Sequence, residues 1–431
     1  MKLFWIFPVF LFMPSWLCCQ VKREDIFSSF VLNPQREAFR KDLDERVIHK
    51  AFETALDSNT EYKYETACWA ITQYIYTGPE VEKGFRRLFS QYETLAPDTR
   101  KSFLEAVYAT YPGNYSGVIT SILEKEKDPA LFSICAAYLF RKDHSISNGN
   151  FLKIKMTESF PGYDSISVLR ELEKYINFHQ EYRKGKTPPV TDLFGWQQMT
   201  RQKIIYSFQR WNRNFPGLVL VQNADGSFVR DGSGKIKLFE QLARSGSDLP
   251  YFIVNGSTPQ GIYSIQGLGV SHDHLIGPTP NIQLLLPFEA TWEKFFHQPW
   301  NPGCDSLLIY HQLLPPGWRN YEPMSESWSA GKIGRTEIIA HGTTIDPEYF
   351  RDKSFFPLTP TLGCLCAKEL WNPASGRLQV SEQFDLVTAF QSSPGSTGLL
   401  YVINIDDREK PVTRKEVEDW VRNFETGRKK Q

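Results

Sequence analysis

The sequence of 431 residues predicts a multi-domain α + β protein, in which an all-α, helical-repeat-like N-terminal domain precedes a β-rich domain. The length exceeds what a single hydrophobic core usually organises. Apolar residues recur at three- and four-residue spacing as far as about residue 186, which is typical of helices. After residue 213, short apolar runs alternate with Asp-Gly turns, which is typical of hairpins. We therefore expect a helical domain at 20–186, a linker and connecting helix at 187–212, a β-rich domain at 213–410 and a C-terminal helix at 411–431.

The N-terminal domain is predicted from a series of amphipathic segments joined by short turns that contain Pro, Gly or Asp. Consecutive helices of this length stack either as a HEAT-like solenoid or as an irregular bundle, and the repeat is too uneven to separate the two. The segments lie at 64–76, 79–92, 97–111, 115–125 and 129–140.

The second half carries the strand signals. Strands are expected at 217–222, 235–239, 281–286 and 398–405, and helices at 195–211 and 381–390. The charged helix that closes the chain is expected to lie on the surface.

The N-terminus predicts export. Lys2 precedes an apolar run at 3–17, which has the length of a signal-peptide core and is too short to span a bilayer. The run ends at Cys18 and Cys19, so residues 1–19 predict a signal peptide, and Cys19 is the candidate for lipidation and a membrane tether. Bulky Trp16 and Leu17 fit a lipoprotein signal poorly, so both forms of export stay open. The expected location is the periplasm or cell envelope.

Charge and cysteine usage exclude several classes of function. Basic and acidic residues balance at 49 each, so no net field attracts nucleic acid. Five scattered cysteines beyond the leader do not form a disulfide framework. The pair His272 and His274 lacks a third ligand at recognisable spacing, so we expect a loop beside a cleft rather than a metal site, and no cofactor.

A candidate nucleophile and base lie late in the chain. Cysteine needs a neighbouring base to become a strong nucleophile, and histidine is the usual one. His341 and Cys364 have this chemistry. Gly363 allows a sharp turn before the cysteine, where main-chain N–H groups can stabilise an oxyanion.

Three motifs surround these residues: His341-Gly342-Thr343, Thr361-Leu362-Gly363-Cys364, and 258–265, which reads Thr-Pro-Gln-Gly-Ile-Tyr-Ser-Ile. In this order they resemble the L,D-transpeptidase (YkuD-type) catalytic domain of bacterial cell-wall enzymes. The resemblance implies a β-rich sandwich, with Cys364 as nucleophile, His341 as general base and Gly363 as backbone oxyanion donor. On the substrate side it suggests Gly342, Thr343, Thr361, Leu362, Arg335 and Tyr263.

The chain departs from the family in two places. The family has Arg two residues after the cysteine, and here that position is Cys366, so Arg335, Arg319 and Lys368 are candidates for a replacement cation. The segment 345–358 lengthens the distance between the histidine and the cysteine and is expected to form a lid or substrate wall.

The resemblance implies an exported enzyme that forms 3-3 cross-links between peptidoglycan stem peptides through a cysteine thioester. The alternatives are an L,D-carboxypeptidase or related cysteine peptidoglycan hydrolase, and a non-catalytic cell-wall-binding scaffold. In each case the helical domain offers a surface for an envelope protein.

Overall fold

The computed structural model describes residues 22–179 and 187–428. The predicted signal peptide and its candidate lipidation site at Cys19 lie outside these residues. Within the described ranges, no helix is both long enough and apolar enough to cross a membrane.

The first half of the described chain is helical. Several helices begin at a proline, whose missing N–H costs nothing in the first turn, and Asp128 caps one by accepting from the N–H groups of Ala130 and Leu131. The helices are α1 (Asn33–Lys41), α2 (Lys50–Glu53), α3 (Glu61–Tyr74), α4 (Pro79–Ser90), α5 (Pro97–Thr110), α6 (Ser116–Leu123), α7 (Pro129–Lys142), α8 (Ile146–Ser159) and α9 (Ser167–Asn177), with a π-helical stretch, Asp42–His49, between α1 and α2.

The helices stack in series. Helix α3 packs on α5, α5 on α7 and α7 on α9, while α4, α6 and α8 lie between them in sequence and contact their neighbours. Such stacking of alternate helices is the arrangement of a helical repeat. The five amphipathic segments predicted from the sequence are confirmed as α3 to α7.

The second half contains a closed eight-stranded barrel, so the predicted sandwich is wrong. Around the barrel the strand order is β1-β10-β4-β5-β6-β7-β3-β2, and β8 and β9 form a separate hairpin. The strands are β1 (Ile204–Arg210), β2 (Gly217–Gln222), β3 (Leu238–Leu242), β4 (Gly261–Gly269), β5 (Asn281–Leu285), β6 (Ala340–His341), β7 (Leu365–Ala367), β8 (Glu369–Trp371), β9 (Leu378–Ser381) and β10 (Gly398–Asp406).

Strand β1 closes the barrel, because it pairs in parallel with β10 and antiparallel with β2. It lies inside 187–212, where the sequence predicted only a linker and a helix at 195–211. The helix there ends at Thr200, since Arg201 adopts a left-handed conformation, and the strand follows. The first barrel strand therefore lies within the predicted connecting segment.

The remaining helices surround the barrel, and α15 confirms the helix predicted at 381–390. The C-terminal helix is only partly a surface helix, because Val417 and Val421 are buried in the core that also contains side chains of the helix Val190–Thr200. The helices of this half are α10 (Val190–Thr200), α11 (Trp292–Phe296), α12 (Ser306–Gln312), α13 (Pro316–Arg319), α14 (Glu326–Ile333), α15 (Glu382–Gln391) and α16 (Arg414–Arg428).

The two halves share one hydrophobic core. Phe252 from the barrel side, and Phe350 and Phe355 from the segment predicted as a lid, are buried among the side chains of the helical half. Asp346 of the same segment lies 3.5 Å from Arg36. The segment 345–358 therefore joins the halves, although Phe356 is 37% exposed, and its role as a lid or substrate wall stays a prediction.

Candidate active site

Cys364 lies just before β7 and is half-buried. Its Sγ accepts the Ile339 N–H at 3.4 Å and donates to the Glu337 carbonyl at 3.4 Å. Burial raises the pKa of Cys364 to about 11, although the Ile339 N–H and the charge of Arg335 oppose the rise. In this arrangement the side chain is a thiol, and it needs a base to become a nucleophile.

The turn before Cys364 depends on Gly363. Its φ is +125°, and a Cβ atom at this position would lie 2.4 Å from Arg335 Nη2. The Gly363 N–H donates to Thr361 Oγ1 at 3.0 Å, and the same hydroxyl donates to the Cys364 carbonyl at 2.9 Å. The N–H of Gly363 is thus engaged within the turn, and its role as an oxyanion donor stays a prediction. The Cys364 N–H makes no hydrogen bond within the described residues, and it is the donor this turn leaves available.

His341 ends β6, which pairs in parallel with β7 so that His341 lies beside Cys366. Cys364 lies two positions before this partner, in the bend that precedes the first residue of β7. The imidazole Nδ1 donates to the Gly342 carbonyl, an atom that can only accept, so Nε2 keeps the basic lone pair. Burial lowers the pKa of His341. Between the described side chains of His341 and Cys364 there is no hydrogen bond, and both are neutral.

The histidine segment is held by the β8 strand. Glu369 accepts the Thr343 N–H at 2.8 Å and the Ser381 hydroxyl at 2.6 Å, and Trp371 Nε1 donates to the Thr343 carbonyl at 2.7 Å. Gly342 is required beneath this carboxyl group, because a Cβ atom there would lie 2.1 Å from Glu369 Cδ. Burial raises the pKa of Glu369 to about 7.

Arg335 is the cation beside the nucleophile turn. It is 4% exposed and donates to the carbonyls of Tyr251, Gly256 and Ser257. Within the described chain it has no carboxylate partner, and burial lowers its pKa to about 10. It is thus a supporting residue and has no surface for direct substrate contact, which corrects the prediction.

The other candidate cations are engaged elsewhere. Lys368 pairs with Glu240 and Glu382, and Arg319 lies over the Trp196 ring. Cys366, which stands where the resemblance expects Arg, is buried with its Sγ 3.6 Å from Thr359 Oγ1. That position has no room for an arginine without rearrangement of the barrel wall.

The predicted substrate residues divide by exposure. Leu362 is 43% exposed at the tip of the turn and can touch a bound molecule. Thr343 and Thr361 are buried, and their hydroxyls donate to backbone carbonyls of the site. Tyr263 is fully buried, with its hydroxyl on the Pro259 carbonyl at 2.7 Å, so it supports the site and does not contact substrate.

Two residues that hold the backbone of the site were not predicted from the sequence, and a third was given no role of its own. Glu369 and Trp371 follow the cysteine without any spacing rule that marks them. Thr258 is the first residue of one of the three motifs, and its hydroxyl donates to the Gly363 carbonyl at 2.8 Å.

The 271–274 loop continues into Leu275, whose carbonyl accepts from the Thr344 N–H, so this loop lies beside the histidine segment. Within the described chain, no group of three or more His, Cys, Asp or Glu residues could hold a metal ion.

No protein-family model matches the chain, and no curated protein or solved structure gives a significant match. A functional assignment therefore depends on the site itself and on the motifs that compose it.

Proposed function

We propose that the protein is an exported, cysteine-dependent peptidoglycan L,D-transpeptidase that forms 3-3 cross-links between stem peptides. The observation that carries this proposal is the pairing of β6 with β7, in which His341 lies beside Cys366, two residues after Cys364. The buried charge of Arg335 beside the turn adds support, since it favours the thiolate.

Activation of the nucleophile starts from a neutral thiol and a neutral imidazole. The thiol leaves the Glu337 carbonyl and donates to Nε2 of His341. Nε2 then accepts the proton as Sγ attacks the carbonyl carbon of the diamino acid at stem position three. The Cys364 N–H stabilises the oxyanion that forms.

Collapse of this intermediate gives the acyl-enzyme. The imidazolium returns the proton to the amine of D-alanine, the carbon–nitrogen bond breaks, and a thioester to Cys364 remains. The side-chain amine of a second stem then attacks the thioester, forms the amide cross-link and releases the thiol. Attack by water instead gives a tripeptide, which is the L,D-carboxypeptidase alternative.

The remaining parts of the proposal come from the sequence. The apolar run at 3–17 supports export to the periplasm or envelope, and Cys19 supports a lipid tether. The helical repeat presents a long surface that suits docking to an envelope protein.

The test is mass spectrometry of disaccharide-tetrapeptide after incubation with the chain that lacks residues 1–19. Dimers that have lost D-alanine are expected with the wild type and not with Cys364→Ala. A Cys304→Ala variant is the matched control, because it removes an exposed cysteine away from the site and should keep full activity. Tripeptide monomers would establish the carboxypeptidase instead. Unchanged substrate with all three proteins would contradict both and favour the non-catalytic scaffold.

A further inference from the structure

A strained glutamate precedes the strand that ends at His341. Glu337 has a φ of +61°, in the left-handed region that residues other than glycine seldom adopt. Its carbonyl accepts the Cys364 thiol at 3.4 Å, so its backbone lies against the nucleophile. Residues held in such conformations concentrate at active sites and ligand-binding sites. The conformation therefore marks Glu337 as a candidate residue of the Cys364 site.

Glu289 holds Glu337 in this conformation. One oxygen of the Glu289 carboxylate accepts the Glu337 N–H at 2.8 Å, and the other accepts the Leu286 N–H at 2.9 Å, just after β5. Both oxygens of Glu289 are thus engaged with the backbone. Of the two carboxylates, that of Glu337 is the one left open to a bound molecule.

The Glu337 carboxylate is an exposed charge near the nucleophile. It forms no hydrogen bond or ion pair with residues 22–179 and 187–428, and the residue is exposed. Burial and, after it, the charges of Glu337 and Glu289 raise the pKa of Cys364 to about 11. Both carboxylates therefore lie within electrostatic reach of the thiol.

The cations of the site are committed elsewhere. Arg335 acts on the Cys364 thiol, but it is 4% exposed and donates to backbone carbonyls. Lys368 is paired with two carboxylates, and Cys366 stands where the resemblance expects Arg. Among the charges that act on the thiol, the exposed one is therefore negative, that of Glu337.

The position of this charge suits the acyl donor. The carbonyl that Sγ attacks belongs to the diamino acid at stem position three, and the side chain of that residue leaves from the adjacent carbon. An amine that attacks the thioester has to be unprotonated, whereas a nearby carboxylate stabilises the ammonium form. Glu337 therefore fits the ammonium of the donor better than the attacking amine of the acceptor.

We propose that the Glu337 carboxylate binds the side-chain ammonium of the donor's third residue and selects a side chain that ends in an ammonium without a carboxylate. Lysine and amidated diaminopimelate have such a side chain, whereas free diaminopimelate also carries a carboxylate there. The ammonium pairs with Glu337 through a charge-assisted hydrogen bond, and the additional carboxylate is repelled. The inference rests on the proposed transpeptidase function, because it names the donor for the same site.

The test measures kcat/KM for D-alanine release from three disaccharide-tetrapeptides, whose third residue is lysine, amidated diaminopimelate or free diaminopimelate. With the wild type, kcat/KM for each of the first two should exceed that for the third about fivefold, the size of an exposed ion pair. Glu337→Gln should bring the three values within about twofold of one another. The matched control is Glu53→Gln, an exposed carboxylate of the helical half, which should keep the wild-type ratio. Removing the Glu337 charge also lowers the pKa of Cys364, but this acts on every donor and cancels in the ratio.

Two further measurements separate charge from structure. Glu337→Asp keeps the charge and should retain part of the preference. Salt at about 1 M should weaken the preference of the wild type by screening, and this measurement needs no variant if Glu337→Gln does not fold.

Three outcomes would contradict the inference. D-alanine release with a ratio near one, or with a preference that neither Glu337→Gln nor salt changes, would overturn it while leaving the transpeptidase reaction in place. A preference for lysine alone would indicate selection by size and would overturn it as well. No release from any donor would overturn the proposed function and this inference with it.

Discussion

Two turns carry the residues of the proposed active site, and they are stabilised in different ways. The histidine turn, 341–343, is held by side chains that come later in the chain, Glu369 and Trp371. The cysteine turn, 361–364, accepts a hydrogen bond from a side chain that comes earlier, Thr258, and its Gly363 packs closely against the earlier Arg335. The first support is a carboxyl group and an indole, and the second is a hydroxyl and a guanidinium.

The difference follows from what each turn must do. In the proposed mechanism the histidine must be neutral and fixed, and a buried carboxyl group whose pKa is raised to about 7 holds the backbone of its turn. The proposed mechanism also requires a thiolate, and the charge of Arg335 lowers the pKa of Cys364. Substitutions in the two sets of supports should therefore have separable effects on stability, thiol reactivity and pH dependence.

The largest effect is expected from Gly363→Ala in the cysteine turn. The new Cβ collides with Arg335 Nη2 and the backbone is held at a φ of +125°, so we expect a loss of about 4 kcal/mol in the free energy of unfolding and no acyl-enzyme. Urea denaturation measures the first and intact mass the second. Gly234→Ala is the matched control, since its φ is +82° but nothing lies within 4 Å of the new atom. Equal losses in the two variants would mean that strain alone, and not contact with Arg335, limits this turn.

A smaller loss is expected from Arg335→Met. The variant leaves the carbonyls of Tyr251, Gly256 and Ser257 without their donor, which should cost about 3 kcal/mol. It also removes the charge that lowers the pKa of Cys364, so iodoacetamide should alkylate this thiol more slowly at a given pH. The rates are measured in a Cys304→Ala background, and Arg335→Lys should retain more of the reactivity. Faster alkylation in Arg335→Met, in a protein that remains folded, would show that the charge does not act on the thiol.

The smallest change is expected in the histidine turn and shows in pH dependence. Burial raises the pKa of Glu369 from 4.5 to about 7, so its stabilising contribution is present below about pH 4.5 and is lost as the pH rises through 7. Between about pH 5 and pH 8 the wild type should therefore lose about 2 kcal/mol more of its unfolding free energy than Glu369→Gln does. Glu105 and Glu326, whose pKa values are also raised to about 7, contribute equally to both proteins and cancel. Parallel pH curves for the two proteins would contradict the raised pKa.

Much of the fold could be predicted because its signals are local. Strand β2 was placed at its observed bounds, and β5 and β10 to within one residue at their ends. Strand β1 was read as the continuation of a helix because its partners, β2 and β10, include a segment nearly 200 residues away, and local periodicity carries no trace of that pairing. The sandwich was expected from the family resemblance, whereas β1, which was not predicted, closes the sheet into a barrel.

The residues of the candidate site differ in the same respect: local motifs identify some of them, and long-range contacts define the others. His341, Gly363 and Cys364 lie in compact motifs, so the sequence identifies them as candidates. Arg335 and Glu369 act through main-chain atoms that only the folded chain brings to them, and backbone contacts leave no pattern in a sequence. The donation of the Gly363 N–H to Thr361 is likewise visible only once the turn is formed.

The most direct test of the account is the intact mass of the protein after incubation with a carbapenem, compared among the wild type, Cys364→Ala and His341→Gln. A carbapenem acylates only an activated thiolate in a formed site. We predict one covalent adduct on the wild type, located at Cys364 by peptide mapping, none on Cys364→Ala, and strongly slowed formation on His341→Gln. An adduct on Cys304 or Cys366 in place of Cys364, or full-rate acylation without His341, would contradict the assignment of this pair.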